Sequence, residues 1–127
     1  MARKQKYIKK KFESTGTSSD VSANIYQSMM ESDAFASLSA PQVRLYLFCK
    51  LQYYSQKTKP NDDNTCFYFN QSKWKSQYKL YSNNNSFYKD MRALIEKGFI
   101  KKIESGKNTR TRSIYQFSSE WQNYKQS

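Results

Sequence analysis

Few residues that commonly carry out covalent or acid–base chemistry stand in a pattern that supports it. The chain of 127 residues contains no His, which removes the most common general base and metal ligand. Cys49 and Cys66 lie far apart with no second pair, so neither a zinc knuckle nor a disulfide framework is expected. Asp62 and Asp63 stand in an Asn-rich run typical of a turn, and no base accompanies the many Tyr residues. The sequence therefore predicts no enzyme, no metal site and no cofactor.

Charge is the stronger signal in the composition. The chain has 22 Lys and Arg against 10 Asp and Glu, a formal net charge of +12. Clustered Lys and Arg favour nucleic acids as partners, because they release condensed counterions when they bind phosphates. A chain rich in Lys, Asn, Tyr and Ser is also what an AT-rich genome encodes without selection for binding. The placement of the charges must therefore decide between the two interpretations.

One segment has the pattern of an amphipathic helix. Ser82 is predicted to cap this helix and Gly98 to end it in the left-handed conformation that glycine readily adopts. Four apolar residues recur between them at the spacing of one buried face: Phe87, Met91, Leu94 and Ile95. Residues three and four apart share a helix face, so the opposite stripe must point to solvent.

The outward stripe of this helix has the side chains that a DNA-reading helix needs. It contains Asn84, Asn85, Tyr88, Lys89 and Arg92, with Asn83 and Ser86 beside them at the helix start. Asn can pair with the edge of adenine and Arg with guanine, whereas Lys and Tyr can bind phosphates. The solvated face of any surface helix can have the same composition, and that interpretation stays open.

The segments before this helix predict two further helices. Residues 24–32 are expected to be extended and to lead into a short helix capped by Ser32. Ser39, followed by Pro41 and Gln42, predicts the start of a long, largely buried helix, because Ser and Gln three residues apart form a capping box.

A short strand and another helix are predicted next. Residues 65–69 are mostly aromatic and bounded by Asn, which is typical of a strand. Asn70 is then expected to cap a helix over residues 71–79, with Trp74 and Tyr78 facing inward.

A β-hairpin is predicted after the amphipathic helix. Residues 99–104 and 112–117 are typical of its two strands. Four apolar side chains are expected to support it: Phe99, Ile103, Ile114 and Phe117. Its basic tip contains Lys107, Arg110 and Arg112. Trp121 and Tyr124 are expected to dock a last helical turn on the core.

The order of these elements, together with several short stretches, resembles a known family. The stretches are Ala34-Phe35-Ala36-Ser37-Leu38-Ser39, Leu45-Tyr46-Leu47, Ser86-Phe87-Tyr88, Leu94-Ile95-Glu96-Lys97-Gly98-Phe99-Ile100 and Ile114-Tyr115-Gln116-Phe117. Over residues 24–124 the chain is similar to winged helix-turn-helix DNA-binding proteins and replication-initiator domains of plasmids, phages and conjugative elements of low-GC Gram-positive bacteria. The resemblance implies an α+β fold with a single winged-helix domain over residues 24–127. Residues 1–23 are basic and then rich in Ser and Thr, with too little apolar content to fold alone, so we expect them to form a flexible basic arm.

Resemblance and charge together give a functional expectation. We expect a cytoplasmic, non-enzymatic protein that binds a specific site on double-stranded DNA of a mobile element. It would assist plasmid replication or conjugative transfer, or regulate transcription. Initiators of this family usually carry a second winged-helix domain, for which 127 residues leave no room, so an accessory factor is favoured.

The expected partners follow from this role. Besides DNA, an initiator or a relaxase is a candidate partner, and either a monomer or a homodimer would bind the DNA. No membrane association is expected, because no apolar run is long enough to cross a bilayer. Three lysines outside the helix and hairpin are added to the expected DNA contacts: Lys4 and Lys10 of the arm, and Lys73.

Two alternative functions remain open. In the first, the domain docks a replication or transcription protein, and its charge reflects genome composition alone. In the second, aromatic side chains stack on the bases of single-stranded nucleic acid or RNA: Trp74, Tyr78 and the Tyr53-Tyr54 pair. A steep dependence of duplex binding on salt concentration would favour the DNA-binding expectation over the first alternative.

The hairpin tip leads to a testable prediction. An Arg at such a tip can enter a narrow, AT-rich minor groove, whose negative potential attracts it. Changing Arg110 and Arg112 together to Ala should weaken binding most on sites with an A-tract beside the core sequence. Fluorescence anisotropy on A-tract-flanked and GC-flanked duplexes measures this, and equal affinities of both proteins for both duplexes would rule out minor-groove reading.

Overall fold

Among the residues that the structure describes, three α-helices precede the first strand, and a π-helix and a fourth α-helix separate it from a pair of strands. The computed structural model describes residues 10–17, 19–60, 63–104 and 113–125. The helices are α1 (Gln27–Met30), α2 (Asp33–Ala36), α3 (Ala40–Ser55) and α4 (Asn84–Glu96), with a π-helix over Ser72–Gln77 and 3₁₀ turns over Lys11–Glu13 and Glu120–Asn123. The strands are β1 (Cys66–Tyr68), β2 (Ile100–Glu104) and β3 (Ile114–Phe117). The described residues thus form a small mixed α+β domain, which confirms the α+β part of the predicted fold.

The central helix, α3, begins as its sequence predicts. The Ser39 hydroxyl accepts a hydrogen bond from the Gln42 N–H (3.4 Å), and the Gln42 side chain accepts one from the Ser39 N–H (3.0 Å). This is the predicted capping box, and Pro41 lies in the first turn, where the helix needs no donor. Leu45 and Cys49 are completely buried. Burial raises the pKa of the Cys49 thiol, which keeps it protonated and poorly reactive.

The three strands form an antiparallel sheet in the order β1-β3-β2. Phe67 of β1 pairs with Tyr115 of the central strand, and both side chains are buried. The ring of Phe117 stacks on Phe67 with the centroids 4.7 Å apart. α3 packs against β1, so these aromatic side chains form the part of the core between helix and sheet.

A side chain from the end of α3 covers the outer edge of β1. Gln56 donates from Nε2 to the Tyr68 carbonyl (3.0 Å) and accepts at Oε1 from the Tyr68 N–H (3.1 Å). The Cys66 N–H donates to the carbonyl of Asp63 (3.1 Å). The outward backbone donors of this strand therefore have partners within the chain.

The helix predicted over residues 71–79 is a π-helix rather than an α-helix. The Tyr78 N–H donates to the Lys73 carbonyl (2.8 Å), five residues back instead of four. The predicted cap is also wrong, because the Asn70 side chain accepts its hydrogen bond from the Ser72 hydroxyl (2.5 Å). π-helical turns of this kind are rare and short.

Two smaller predictions also differ from the structure. Within residues 24–32, expected to be extended, α1 forms, because Met29 reaches the core and the Gln27 amide donates to Glu31 one turn later (2.8 Å). Ile103, expected to support the hairpin, lies at a β-bulge and its side chain is 44% exposed. The strand residue that enters the core is Ile100.

No helix in the described part of the chain is long and apolar enough to cross a membrane.

Gly98 joins α4 to β2 where a second segment of backbone comes close. Its φ of +88° lies in the left-handed region, as predicted. The Trp121 N–H donates to the Gly98 carbonyl (3.0 Å), and the Trp121 ring stacks on Phe99 with centroids 6.3 Å apart. Trp121 and Tyr124 both pack against the core, which confirms the predicted docking of the last helical turn.

Gly98→Ala should therefore destabilise the domain. The added Cβ would lie 2.5 Å from the Trp121 nitrogen and 2.6 Å from the Glu120 carbonyl carbon, and it would also strain the backbone. We expect the free energy of unfolding to fall by about 2–3 kcal/mol in urea denaturation. Gly16→Ala is the matched control, since Gly16 also has positive φ but no atom within 4 Å of the added Cβ. Equal losses in the two variants would contradict the steric argument.

Candidate nucleic-acid interface

Asn83 starts the helix that carries most of the predicted site. Its Oδ1 accepts a hydrogen bond from the Ser86 N–H at 2.9 Å, which satisfies one of the free donors of α4. The cap is therefore Asn83 and not Ser82, the predicted residue. Asn83 was also expected to contact DNA, and the structure directs its side-chain oxygen at the helix end.

The remaining residues of α4 divide into the two predicted faces. Phe87, Met91 and Leu94 are buried, and Ile95 is partly buried against the same core. The predicted site residues on the other side are all exposed: Asn84, Asn85, Ser86, Tyr88, Lys89 and Arg92. The outward stripe predicted from helical spacing is thus confirmed as a solvent-facing surface.

An aromatic stack fixes α4 against the π-helix. The rings of Trp74 and Phe87 are nearly parallel, at 5°, with their centroids 4.1 Å apart. Phe69 and Tyr81 meet Phe87 edge-on at 6.0 and 5.8 Å. Trp74, Phe87 and Phe69 are almost completely buried, so rotating α4 would expose several large rings.

Asp90, one of two acidic residues in α4, is turned away from the exposed stripe. Its carboxylate accepts hydrogen bonds from the Tyr81 hydroxyl (2.7 Å) and from Gln42 of α3 (3.4 Å). Burial raises the pKa of Tyr81, and the hydrogen bond to Asp90 raises it further, so this phenol stays protonated as a donor. The other acid, Glu96, is exposed at the C-terminal end of α4.

A groove of about 630 Å³ lies beside the exposed stripe, between α4 and strands β2 and β3. It is lined by Asn84, Asn85, Tyr88, Met91, Arg92, Ile95, Lys102 and Tyr115. Its charged lining residues are Arg92 and Lys102, both cations. Burial raises the pKa of Tyr115, so that hydroxyl adds no negative charge. The groove is therefore suited to anionic or polar ligands.

Tyr88 connects the two walls of this groove. Its ring meets Phe87 edge-on at 5.2 Å, and the Lys102 ammonium nitrogen lies 5.8 Å from its centroid. Such a cation–π contact at an exposed site contributes about 0.5–1 kcal/mol. The side chain is 44% exposed, so part of the ring is available to a ligand.

Other predicted site residues lie elsewhere. Lys73 donates to Gln77 within the π-helix (3.0 Å) and lines a separate groove beside β1, so the structure does not bring it to the α4 groove. Lys10 is exposed near the start of the described residues. The remaining predicted contacts lie outside the described residues: Lys4, Lys107, Arg110 and Arg112.

Sequence reasoning missed Lys102 as a site residue. Alternation along a strand places Lys101 and Lys102 on opposite faces, but only the pairing of Lys102 with Tyr115 shows which one borders the groove. Lys101 forms an ion pair with Glu120 instead (3.3 Å). The alternation was a usable signal, whereas the strand register was not visible in the sequence.

Within the described ranges, no group of three Cys, Asp or Glu side chains is arranged to hold a metal ion.

Comparisons with family models, with curated proteins and with solved structures found no match.

The cap of α4 leads to a testable prediction. Asn83→Ala should lower the free energy of unfolding by about 1 kcal/mol, because the Ser86 N–H loses its acceptor. Asn85→Ala is the matched control, since its amide makes no hydrogen bond among the described residues, and it should change stability by less than about 0.5 kcal/mol. Urea denaturation followed by Trp fluorescence measures both. A larger loss from Asn85→Ala would contradict the assigned cap.

Proposed function

We propose that this domain is a winged helix-turn-helix that binds a specific site on double-stranded DNA without catalysing a reaction, with α4 in the major groove. The observation that carries the proposal is the exposed polar and basic stripe of α4 next to a groove whose charged residues are cations. The order α3, β1, π-helix, α4, β2, β3 and the strand order β1-β3-β2 support the winged-helix assignment. The short stretches of sequence that resemble winged-helix proteins add to this support.

The dimensions of α4 suit this role. It has 13 residues and is therefore about 20 Å long, and its diameter fits a major groove about 12 Å wide. Helices of this kind contact bases mainly through their N-terminal residues. Asn84 and Asn85 occupy that end, whereas the acidic Glu96 lies at the far end, away from the bases.

The basic side chains of this arrangement are placed to contact phosphates. Lys89 follows Asn85 by one turn on the outward stripe, and Arg92 follows by two. Lys102 approaches from β2 across the groove. Phosphate contacts of this type fix the orientation of a protein on the duplex, while base contacts supply the sequence preference. The resemblance to proteins of plasmids and conjugative elements supports a role in replication, transfer or transcription of a mobile element.

The double variant Lys89→Ala/Arg92→Ala tests the proposal. Both side chains are exposed, so folding should be unchanged, while affinity for the preferred duplex should fall at least about 10-fold. The slope of log K against log salt should shrink by about 1–2, because up to two phosphate contacts are lost. Titrations by fluorescence anisotropy at several salt concentrations give both quantities.

A charge-matched control separates a local contact from net charge. Lys57→Ala/Lys125→Ala removes the same charge from exposed positions that lie neither on α4 nor in its groove, and it should change affinity by much less. Equal weakening by the two double variants would show that net charge alone drives binding. Wild-type protein without salt-dependent duplex binding would exclude the proposed function.

A further inference from the structure

The consecutive residues Asn83, Asn84 and Asn85 have identical side chains, but their amides differ in the hydrogen bonds that they make. The amide of Asn83 is used at the helix end, where it accepts from the Ser86 N–H (2.9 Å). The side chain of Asn84 accepts at Oδ1 a hydrogen bond from Nε2 of Gln71, the residue just before the π-helix (3.1 Å). The amide of Asn85 makes no hydrogen bond among the described residues, although the side chain is exposed and borders the groove.

This difference matters because adenine is read through two atoms at once. In the major groove adenine presents the N7 acceptor and the N6 amino donor side by side, and an Asn amide matches them with its NH₂ and its oxygen. Both ends of the amide must therefore be available. The contact with Gln71 engages one end of the Asn84 amide whichever way the two amides are turned, and the cap engages the oxygen of Asn83.

We propose that Asn85 is the specificity-determining residue of the interface and that it recognises an adenine in the major groove. This inference rests on the DNA-binding function proposed above. Asn85 is the second residue of α4, within the part of a recognition helix that reaches base edges. Gln71 is a positioning residue. It occupies one end of the Asn84 amide and leaves the other end to bind a phosphate or a sugar.

The surroundings of Asn85 fit the other base of the same pair. Tyr88 lies one turn further along α4 and presents a partly exposed ring to the groove. Thymine, unlike cytosine, presents a C5 methyl group in the major groove, and this group favours apolar neighbours. An A·T pair thus offers a polar edge to Asn85 and an apolar group to Tyr88.

The experiment begins with the preferred duplex of the wild-type protein, selected from a randomised pool. Each A·T pair of that duplex is then replaced by G·C, and separately each adenine by 7-deazaadenine, which lacks the N7 acceptor. One adenine should respond to both changes, with a loss of about 5- to 100-fold for the G·C exchange. Asn85→Ala should abolish the response at that position and leave the preferences at other positions unchanged.

Asn84→Ala is the matched control. It removes an identical side chain from the neighbouring position and should weaken binding to all duplexes alike, with the base preferences retained. Urea denaturation of both variants confirms that they fold. Gln71→Ala frees the Asn84 amide, and a second position that then gained adenine preference would further support the positioning role of Gln71.

The outcomes separate this inference from the proposed function. If wild-type protein binds duplexes with a steep salt slope but Asn85→Ala keeps every base preference, the assignment of Asn85 is wrong and the DNA-binding function stands. Relaxed preference in Asn84→Ala alone overturns the assignment as well. Wild-type binding without any sequence preference overturns the assignment and also the specific site of the proposed function. A wild-type protein that shows no salt-dependent duplex binding overturns both.

Discussion

The stack of Trp74 on Phe87 is the contact on which the arrangement of the domain depends. It joins the π-helix to α4 with the ring centroids 4.1 Å apart, and Phe69 and Tyr81 pack edge-on against the ring of Phe87. Large aromatic rings contribute strongly to a small core, and their preferred geometries restrict how the elements that carry them can rotate. The stack therefore determines which residues of α4 are buried, and with them which residues face outward.

The surface of α4 is a consequence of this buried geometry. With Phe87 held in the core, helical spacing leaves Asn85, Lys89 and Arg92 to solvent, and Asp90 meets Tyr81 on the side of α3. The position of Asp90 keeps its negative charge away from the face of α4 that is proposed to meet DNA. A recognition surface of this kind needs rigid support, because misplaced donors lose their match to the base edges.

Sequence alone predicted the elements that have strong local signals. Ser39 with Gln42 specified the start of α3, and Gly98 the end of α4, because caps depend on neighbouring residues. The cap of α4 was misplaced by one residue, since Ser82 and Asn83 are both good capping residues. The π-helix could not be predicted, because such helices are rare and local signals favour the common α-helix. The contact between Gln71 and Asn84 could not be predicted either, because it joins residues thirteen positions apart.

Gln56 acts as a substitute for a missing neighbour strand. By bonding both outward groups of Tyr68, it closes part of the open row of donors and acceptors through which edge strands pair with other molecules. The opposite edge, β2, carries a bulge at Ile103 and two exposed lysines, which also oppose edge-to-edge pairing. Both edges of the sheet therefore oppose its growth into aggregates.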